Sequence, residues 1–554
     1  MLVHLFLLLS VLGGATFFLP KDKFSRFFSA LLFLAAGIGV WNLIQASRSA
    51  HAEPFVFHWI QYKTLHIDIN LSSNLRNFIQ IMPFGIVLLF SLFGNIFSRQ
   101  ETRRLRLGGL MCINLAFLLL LVCANNLIVL MISAFLIGIT TLYIINDYDS
   151  KKTYIFYNLV SDMALFTACA IIYSRFHQVE LSVLSRYARE GEHVSLVALL
   201  ILLSLMIKNG LFLFQNQLLS FRDINFNRMI FLSFCSLPVV GMSIYEKALP
   251  LLSSFEYTGI IIGTAAALST LYALGGALIY DDIKEKTLCF NMLFWALLYA
   301  LSLAMPQFSF AACYPLLLLM LALNGLIHAL SASASDEVYA SKMGGFAKML
   351  WPQLVFFIIW YAVFVQNVFA LAKPAPILNF ELGTFAFAVA LALAHLLRQA
   401  FFGTTRADDI VCARLRTLPY ADCWLPAVLI CGFYALPLSK ISVPAGMTLA
   451  VFVLLLVMHP LRGLSRYYAD EELQLSEFFK RFYELLILTP ITVLGRILWL
   501  TIDFVIIERT IINSLSDMIK FLIRISQKIH QPQMLNYILL TLCGLGIIFL
   551  YAGR

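Results

Sequence analysis

The sequence predicts an all-α polytopic membrane protein of about sixteen transmembrane helices, each span needing about 20 apolar residues to cross a bilayer. Three observations carry that prediction. Of 554 residues, 61% are hydrophobic and only 12% charged, with Phe alone at 48 positions, far from the roughly 25% charged usage of soluble domains. Apolar runs of span length follow one another along most of the chain, separated by short polar loops. The first run, residues 1-19, has no basic leader and no small-residue cleavage motif, and is read as a retained span.

Taken in order, the apolar runs fall at roughly 1-19, 27-47, 79-98, 107-123, 125-146, 154-174, 194-215, 229-246, 258-280, 287-305, 310-331, 350-372, 382-400, 421-438, 441-458 and 534-552. Between the second and third, residues 53-77 alternate polar with β-branched and aromatic side chains, which predicts a hairpin or short strands on the outer face. Residues 468-530 mix apolar stripes with charges, among them Glu472, Arg481, Arg496, Asp503, Arg509 and Arg524. Charges recur too often there for a span and apolar residues too often for a solvated loop, so the segment reads as a long amphipathic helix lying along the membrane domain.

Lysine and arginine sort the loops into two sets. Those beginning near 20, 99, 147, 216, 281, 332, 399 and 459 are the richer, which places them on the cytoplasmic or matrix side and both termini outside. The net charge of +9 is spread over these loops without interleaved aromatics, so nucleic acid is not an expected partner. The ten cysteines form no CxxC pair and sit mostly within apolar runs, as small buried hydrophobes. The chain has no metal-ligand spacing, no GxGxxG, no P-loop and no GxSxG. No cofactor, catalytic site or soluble substrate is therefore expected of this chain alone. Asp281, Asp282, Lys284, Glu285 and Lys286 read as a solvated turn, and His395 as packing.

Lys208 is the conspicuous exception to the apolar pattern, since it lies well inside the run from Ser195 to Leu219. A lysine at membrane depth costs about 2.5 to 3.5 kcal/mol on insertion scales, so it faces a bundle interior or a wet cavity and has a partner. Two roles fit it: a transport lysine, or a structural or snorkelling partner whose long stem carries the amine along the helix.

Several segments in order resemble the antiporter-like subunit L (chain 5) of NADH:quinone oxidoreductase and its relatives in the Mrp antiporter superfamily. They are FVFHWIQYKTLHIDINL, NNLIVLMISAFLIGITTLYII, IFYNLVSDMALF, MIKNGLFLFQNQLL, DDIKEKTLCFNMLFWALLYALS, LNGLIHALSASASDE, GGFAKMLWP and YELLILTPITVLGRILWLTIDFVIIERTIINSL. The resemblance covers nearly the whole chain and rests on the order and spacing of motifs that are individually degenerate. It implies two inverted five-helix repeats with broken helices, here 99-246 and 247-402. They would be preceded by spans and an outer hairpin in 1-98 and followed by spans in 403-467, the lateral helix in 468-530 and a final anchor in 531-554. It also implies partners among the other membrane subunits of a respiratory or antiporter complex, in a bacterial inner or mitochondrial inner membrane, with redox chemistry carried elsewhere.

By the same resemblance the proton path would include Lys208, Asp162, His328 and Lys373. Lys208 matches the lysine of the family's seventh span, and Asp162 the aspartate of its R-V-G-D, although Leu159 and Ser161 replace the arginine and glycine. His328 matches one histidine of the eleventh span, whose neighbouring histidine and lysine are here Asn324 and Ala332; Lys373 matches the lysine ending the twelfth. Phe135 stands where the family carries the glutamate that partners the channel lysine, and Ser233 where a histidine is expected. These departures leave three functions open: proton translocation, a structural or assembly role with a decayed channel, or membership of a cation/proton antiporter complex. They also leave Asp162 as the substitute partner for Lys208.

Overall fold

The computed structural model describes residues 55–62, 65–71, 104–178, 180–190, 193–304, 314–333, 339–348, 350–371 and 376–402, with a few isolated residues elsewhere. Lys373, the first spans and those after residue 402 lie outside the described residues, as does the 468-530 segment apart from a helical, exposed Asp517–Lys520 ion pair of 3.3 Å. The chain divides into two compact units, Met1–Ala469 and Asp470–Arg554.

The alternating segment after residue 53 forms an antiparallel hairpin. β1 (Phe55–Tyr62) pairs with β2 (Leu65–Leu71) from Phe55↔Leu71 to Tyr62↔Leu65, with a register irregularity between His58 and Ile60.

The remaining described elements are helices: α1 (Arg104–Cys123), α2 (Leu127–Ile144), α3 (Tyr148–Phe176), α4 (Val183–Glu190), α5 (Val194–Asn209), α6 (Gln215–Leu219), α7 (Phe226–Ile230), α8 (Leu237–Leu252), α9 (Thr258–Ile279), α10 (Ile283–Ala304), α11 (Tyr314–Ser333), α12 (Trp351–Leu371) and α13 (Pro376–Phe401). A π-helical turn, Phe231–Ser236, joins α7 to α8 into one continuous 27-residue span. Among the described residues, seven helices are long and apolar enough to cross a membrane, and the shorter apolar helices Val194–Asn209, Leu319–Ser331 and Gln353–Val368 accompany them. The chain is a multi-pass integral membrane protein.

Short polar contacts fix where each helix starts and stops. Asn126 accepts from the Ile128 amide at 2.8 Å to cap α2, and Asp147 accepts from the Ser150 amide at 2.8 Å to cap α3. The Arg228 guanidinium donates to the Ile144 carbonyl at 2.7 Å, placing a cation on the carbonyl end of α2. Ser150 donates to the Ser220 carbonyl at 2.6 Å, so the start of α3 is tied to the 3-10 turn Ser220–Asp223.

The segment joining α7 through α8 is buried nearly all round and forms the centre of the described bundle, against α5, α1 and α4. By contrast, α3 and α9 bury only one side, and their other sides carry exposed Ile155, Leu159, Met163 and Phe166, and Ile260 and Leu271. Exposed apolar stripes on long apolar helices are the faces that meet lipid or a neighbouring membrane subunit.

The charged run at the start of α10 does not form the solvated turn expected from sequence. The Asp282 carboxylate accepts from the Lys284 amide at 2.7 Å, and the Asp281 backbone carbonyl accepts from the Ala340 amide at 2.9 Å. Glu285 is 8% exposed and Lys286 0%. A helix that begins inside the bundle carries its first-turn side chains into neighbouring helices, and here each finds a polar partner: Glu285 accepts from Arg222 at 2.6 Å, and Lys286 donates to Gln399 at 2.7 Å.

Candidate functional site

Lys208 occupies the last turn of a helix that breaks immediately after it. The break is a Schellman motif: Gly210 takes a left-handed conformation, φ 59°, its amide bonds the Ile207 carbonyl at 3.0 Å, and the Leu211 amide bonds the Met206 carbonyl at 3.1 Å. A Cβ at Gly210 would lie 2.6 Å from the Leu218 side chain, so both backbone angle and space require glycine. The irregular backbone then passes through Leu213, φ 79°, before α6 resumes. Ser269 of α9 accepts from the Phe212 amide at 2.7 Å, which satisfies a donor that the break removes from the helix. Non-helical backbone at membrane depth is tolerated only where protein or a wet cavity supplies such partners.

The break places the Lys208 ammonium against α3. Its Nζ lies 2.7 Å from Asp162 Oδ1, with the lysine 1% and the aspartate 13% exposed. The ammonium's hydrogen bond goes to Asn158 Oδ1, so its contact with the carboxylate is electrostatic. Asn158 in turn donates through Nδ2 to Asp162 Oδ2 at 2.7 Å. The amide therefore bridges the two charges, taking one bond from the cation and giving one to the anion. Asn158 and Asp162 are four residues apart and share a helix face. Ser161 and Ser204 lock the same two helices together, hydroxyl to hydroxyl at 3.0 Å.

Phe135 contributes nothing to this arrangement. It is 50% exposed on the outward side of α2, whereas Gly138 of the same helix lies against Asn158, where a Cβ would come within 2.5 Å of the amide nitrogen. The carboxylate partner of Lys208 is thus supplied by α3 at Asp162.

From Lys208 inward the polar contacts continue through amide and hydroxyl groups. Asn209 donates to the Tyr299 hydroxyl at 2.7 Å, and Ser302 donates to the Tyr245 hydroxyl at 3.1 Å. Elsewhere in the bundle, Asn324 donates to Asn291 at 2.8 Å, Asn291 donates to Ser233 at 3.0 Å, and Ser233 closes on the Met229 carbonyl at 2.7 Å. Both positions where the family resemblance expects histidines are therefore occupied by neutral members of one amide and hydroxyl chain. His328, one turn beyond Asn324, packs its ring against Phe226 with centroids 4.9 Å apart. The structure brings Lys208 and Asp162 into contact and places His328 elsewhere; Lys373 is outside the described residues. Sequence reasoning missed Asn158, although its spacing four residues before Asp162 was the available signal. It also missed Asn291, for which an isolated amide in an apolar run gives no signal.

No protein-family model matches the chain, and no curated protein matches it. Solved structures do. A chain of the Mrp complex from Dietzia sp. DQ12-45-1b superposes with a TM-score of 0.64 at 14% identity, covering 100% of this chain and 63% of that one. A chain of respiratory complex I from Thermus thermophilus with bound NADH gives a TM-score of 0.61 at 17% identity, covering 82% of this chain and 100% of that one. A chain of the membrane-bound sulfane sulfur reductase, an archaeal respiratory membrane complex, gives 0.56 at 14% identity, covering 81% and 74%. At these identities the likeness establishes a common fold with these chains of membrane complexes, and this chain spans 63% of the Mrp-complex chain.

Proposed function

We propose that the chain is an antiporter-like membrane subunit of a multi-subunit ion-translocating complex of the NADH:quinone oxidoreductase kind, with the redox chemistry on other subunits. It contributes to proton translocation through the Lys208–Asp162 pair. The observation that carries this reading is that pair itself: two opposite charges at a helix break, desolvated and bridged by Asn158. Intramembrane ion pairs of this kind mark ion pathways more than they build stability, because desolvation offsets most of the attraction. In the structure the Asp162 carboxylate lies against the Lys208 ammonium. When Asp162 is drawn away, the isolated ammonium releases its proton inward, and the amine takes up another when the pair re-forms; nothing is oxidised. His328 and Lys373 are the proposed acceptors further along.

The Ser233–Asn291–Asn324 chain supports a second reading, in which the second half braces neighbouring subunits and carries no protons. Amides hold their protons, so a wire through them needs water or a titratable group beside it.

Proton uptake driven by the native complex in inside-out membrane vesicles decides between them. Lys208→Met and Asp162→Asn should each lower pumping at least about tenfold, a loss equivalent to about 1.4 kcal/mol on the rate-limiting step, in a complex that still assembles. Unchanged pumping in Asp162→Asn overturns the pair as a driving element. Unchanged pumping in both, with the complex falling apart when the chain is deleted, supports the brace. Identification of the subunits that co-purify with the chain tests the choice of complex.

A further inference from the structure

A second buried polar cluster lies away from Lys208, where α9, α10 and α13 meet. Lys286 is fully buried, and its Nζ donates to Gln399 Oε1 at 2.7 Å and to the Ala277 carbonyl at 3.3 Å. His395 precedes Gln399 by four residues on α13 and so shares its face. It is 7% exposed, and its ring is hydrogen-bonded to the carbonyl of Leu278, the residue after the one that holds Lys286. Nε2 of His395 has no hydrogen-bond partner among the described residues. With one ring nitrogen on a carbonyl, that nitrogen is Nδ1 and carries the hydrogen, and Nε2 is left as a free basic lone pair within the field of the Lys286 charge.

We infer that Lys286 and His395 form a second proton-exchange site, separate from Lys208–Asp162, with Gln399 and the Ala277 and Leu278 carbonyls as its scaffold. An imidazole buried for packing alone satisfies both nitrogens or gives way to an apolar ring; here one nitrogen is left without a partner while a buried ammonium is held on the adjoining Ala277 carbonyl. The proton leaves Nζ as the ammonium becomes a neutral amine and binds Nε2 as the imidazole becomes imidazolium, so charge moves with the proton and no redox partner is needed. Gln399 accepts from the ammonium without competing for its proton, which a carboxylate there would do. Of the other titratable groups on the packed elements, Tyr272 and Tyr280 bond each other at 2.9 Å, Glu285 is held by Arg222, Lys284 donates to the Ile224 carbonyl at 2.9 Å, Tyr361 of α12 donates to the Ala386 carbonyl at 3.0 Å, and Cys289 is a buried thiol. Arg398, next to Gln399, adds a second positive charge that acts on His395.

The role of this site in ion movement rests on the function proposed above; its protonation does not. Infrared difference spectroscopy on the full chain in liposomes, with ring-labelled histidine and the His395→Gln spectrum subtracted, isolates the His395 signal from those of the other histidines. A His395 signal that changes with pH is expected. Removing the neighbouring cation with Lys286→Gln should tighten proton binding about tenfold, and Lys342→Gln, an exposed lysine elsewhere, should leave it unmoved. Should Lys286→Gln fail to fold, Gln399→Glu keeps the Lys286 acceptor and should tighten proton binding in the same direction. A His395 signal that does not change with pH, or one unmoved by both variants, overturns the inference while leaving the Lys208 reading intact. Coupled titration alongside normal pumping in Lys208→Met leaves this site standing and sinks the other.

Discussion

Lys208 and Asp162 show what one buried charge requires of its neighbours. Each group alone would be an uncompensated ion in a low-dielectric interior, so removing one should cost more than removing both. Asp162→Asn should lower the unfolding free energy in detergent by about 3 to 5 kcal/mol. The double variant Asp162→Asn with Lys208→Met should recover a large part of that loss in the same unfolding measurement. A double variant no more stable than the worse single variant would mean the two charges are not energetically coupled. Asn158→Ala removes both bridging bonds, and a loss of about 1 to 3 kcal/mol is expected from the polar groups it leaves unmet. The pair was legible in sequence as two intramembrane charges on neighbouring helices. The bridge was not, because an asparagine in an apolar run carries no sign of which way it faces.

At the scale of elements, the helix break after Lys208 and the start of α10 are where local chemistry and packing meet. Gly210→Ala places a side chain in a left-handed backbone and against Leu218, and should cost upward of about 1 kcal/mol. Leu218→Ala in the same chain should return only the steric part, which thermal unfolding of the three variants separates. At α10, burial pushes the Asp282 carboxyl up to about 6 from an ordinary value of 3.8, against the hydrogen bond it accepts from the Lys284 amide. The folded state then binds a proton more readily than the unfolded chain, so stability falls as pH rises from about 4 through 6 and is gained as pH is lowered through the same window. Asp282→Asn keeps an acceptor for the amide and should flatten that part of the stability profile. A profile as steep as the parent's would show that another group is responsible. The sequence supplied the start of α10 as a charged run and gave no sign that Glu285 and Lys286 turn inward, since periodicity cannot distinguish a solvated first turn from one packed under a neighbouring helix.

Short connections join the long described spans, and they fall into two sets. Residues 145–147, the Ser220–Asp223 turn, 280–282 and 339–348 belong to one, and 177–193 and 253–257 to the other. Contacts across helices agree: Ser150 reaches Ser220, and Asp282 bridges Tyr339, while Asn126 bridges Glu180. With the helix ends beside it, the first set carries Lys151, Lys152, Arg222, Arg228, Lys284, Lys286, Lys342 and Lys348, against Arg175, Arg186, Arg189 and Lys247 for the other, and by the positive-inside rule the first is the expected cytoplasmic or matrix face. Single cysteines at Asp223 and Lys342 should react with a membrane-impermeant reagent only from that face, and one at Glu256 only from the other. Labelling of Asp223 and Glu256 from the same side would break the topology. The exposed stripes on α3 and α9 remain for lipid or for other subunits, and they account for a chain whose long helices are apolar even where this fold does not cover them.

By itself the sequence determined that the chain lives in a membrane, that its spans are helices joined by short loops, and that Lys208 needs a partner. Each of these follows from the price of polar groups in hydrocarbon, which composition and run length report directly. Only the tertiary structure decided which partner: Asp162, bridged by Asn158, with Phe135 turned outward and Ser233, Asn291 and Asn324 joined in a neutral chain. It also gathered Lys286, His395 and Gln399 from segments over a hundred residues apart. Apolar runs hide the rotation of a helix about its own axis, and that rotation, fixed by packing, selects which polar side chains meet.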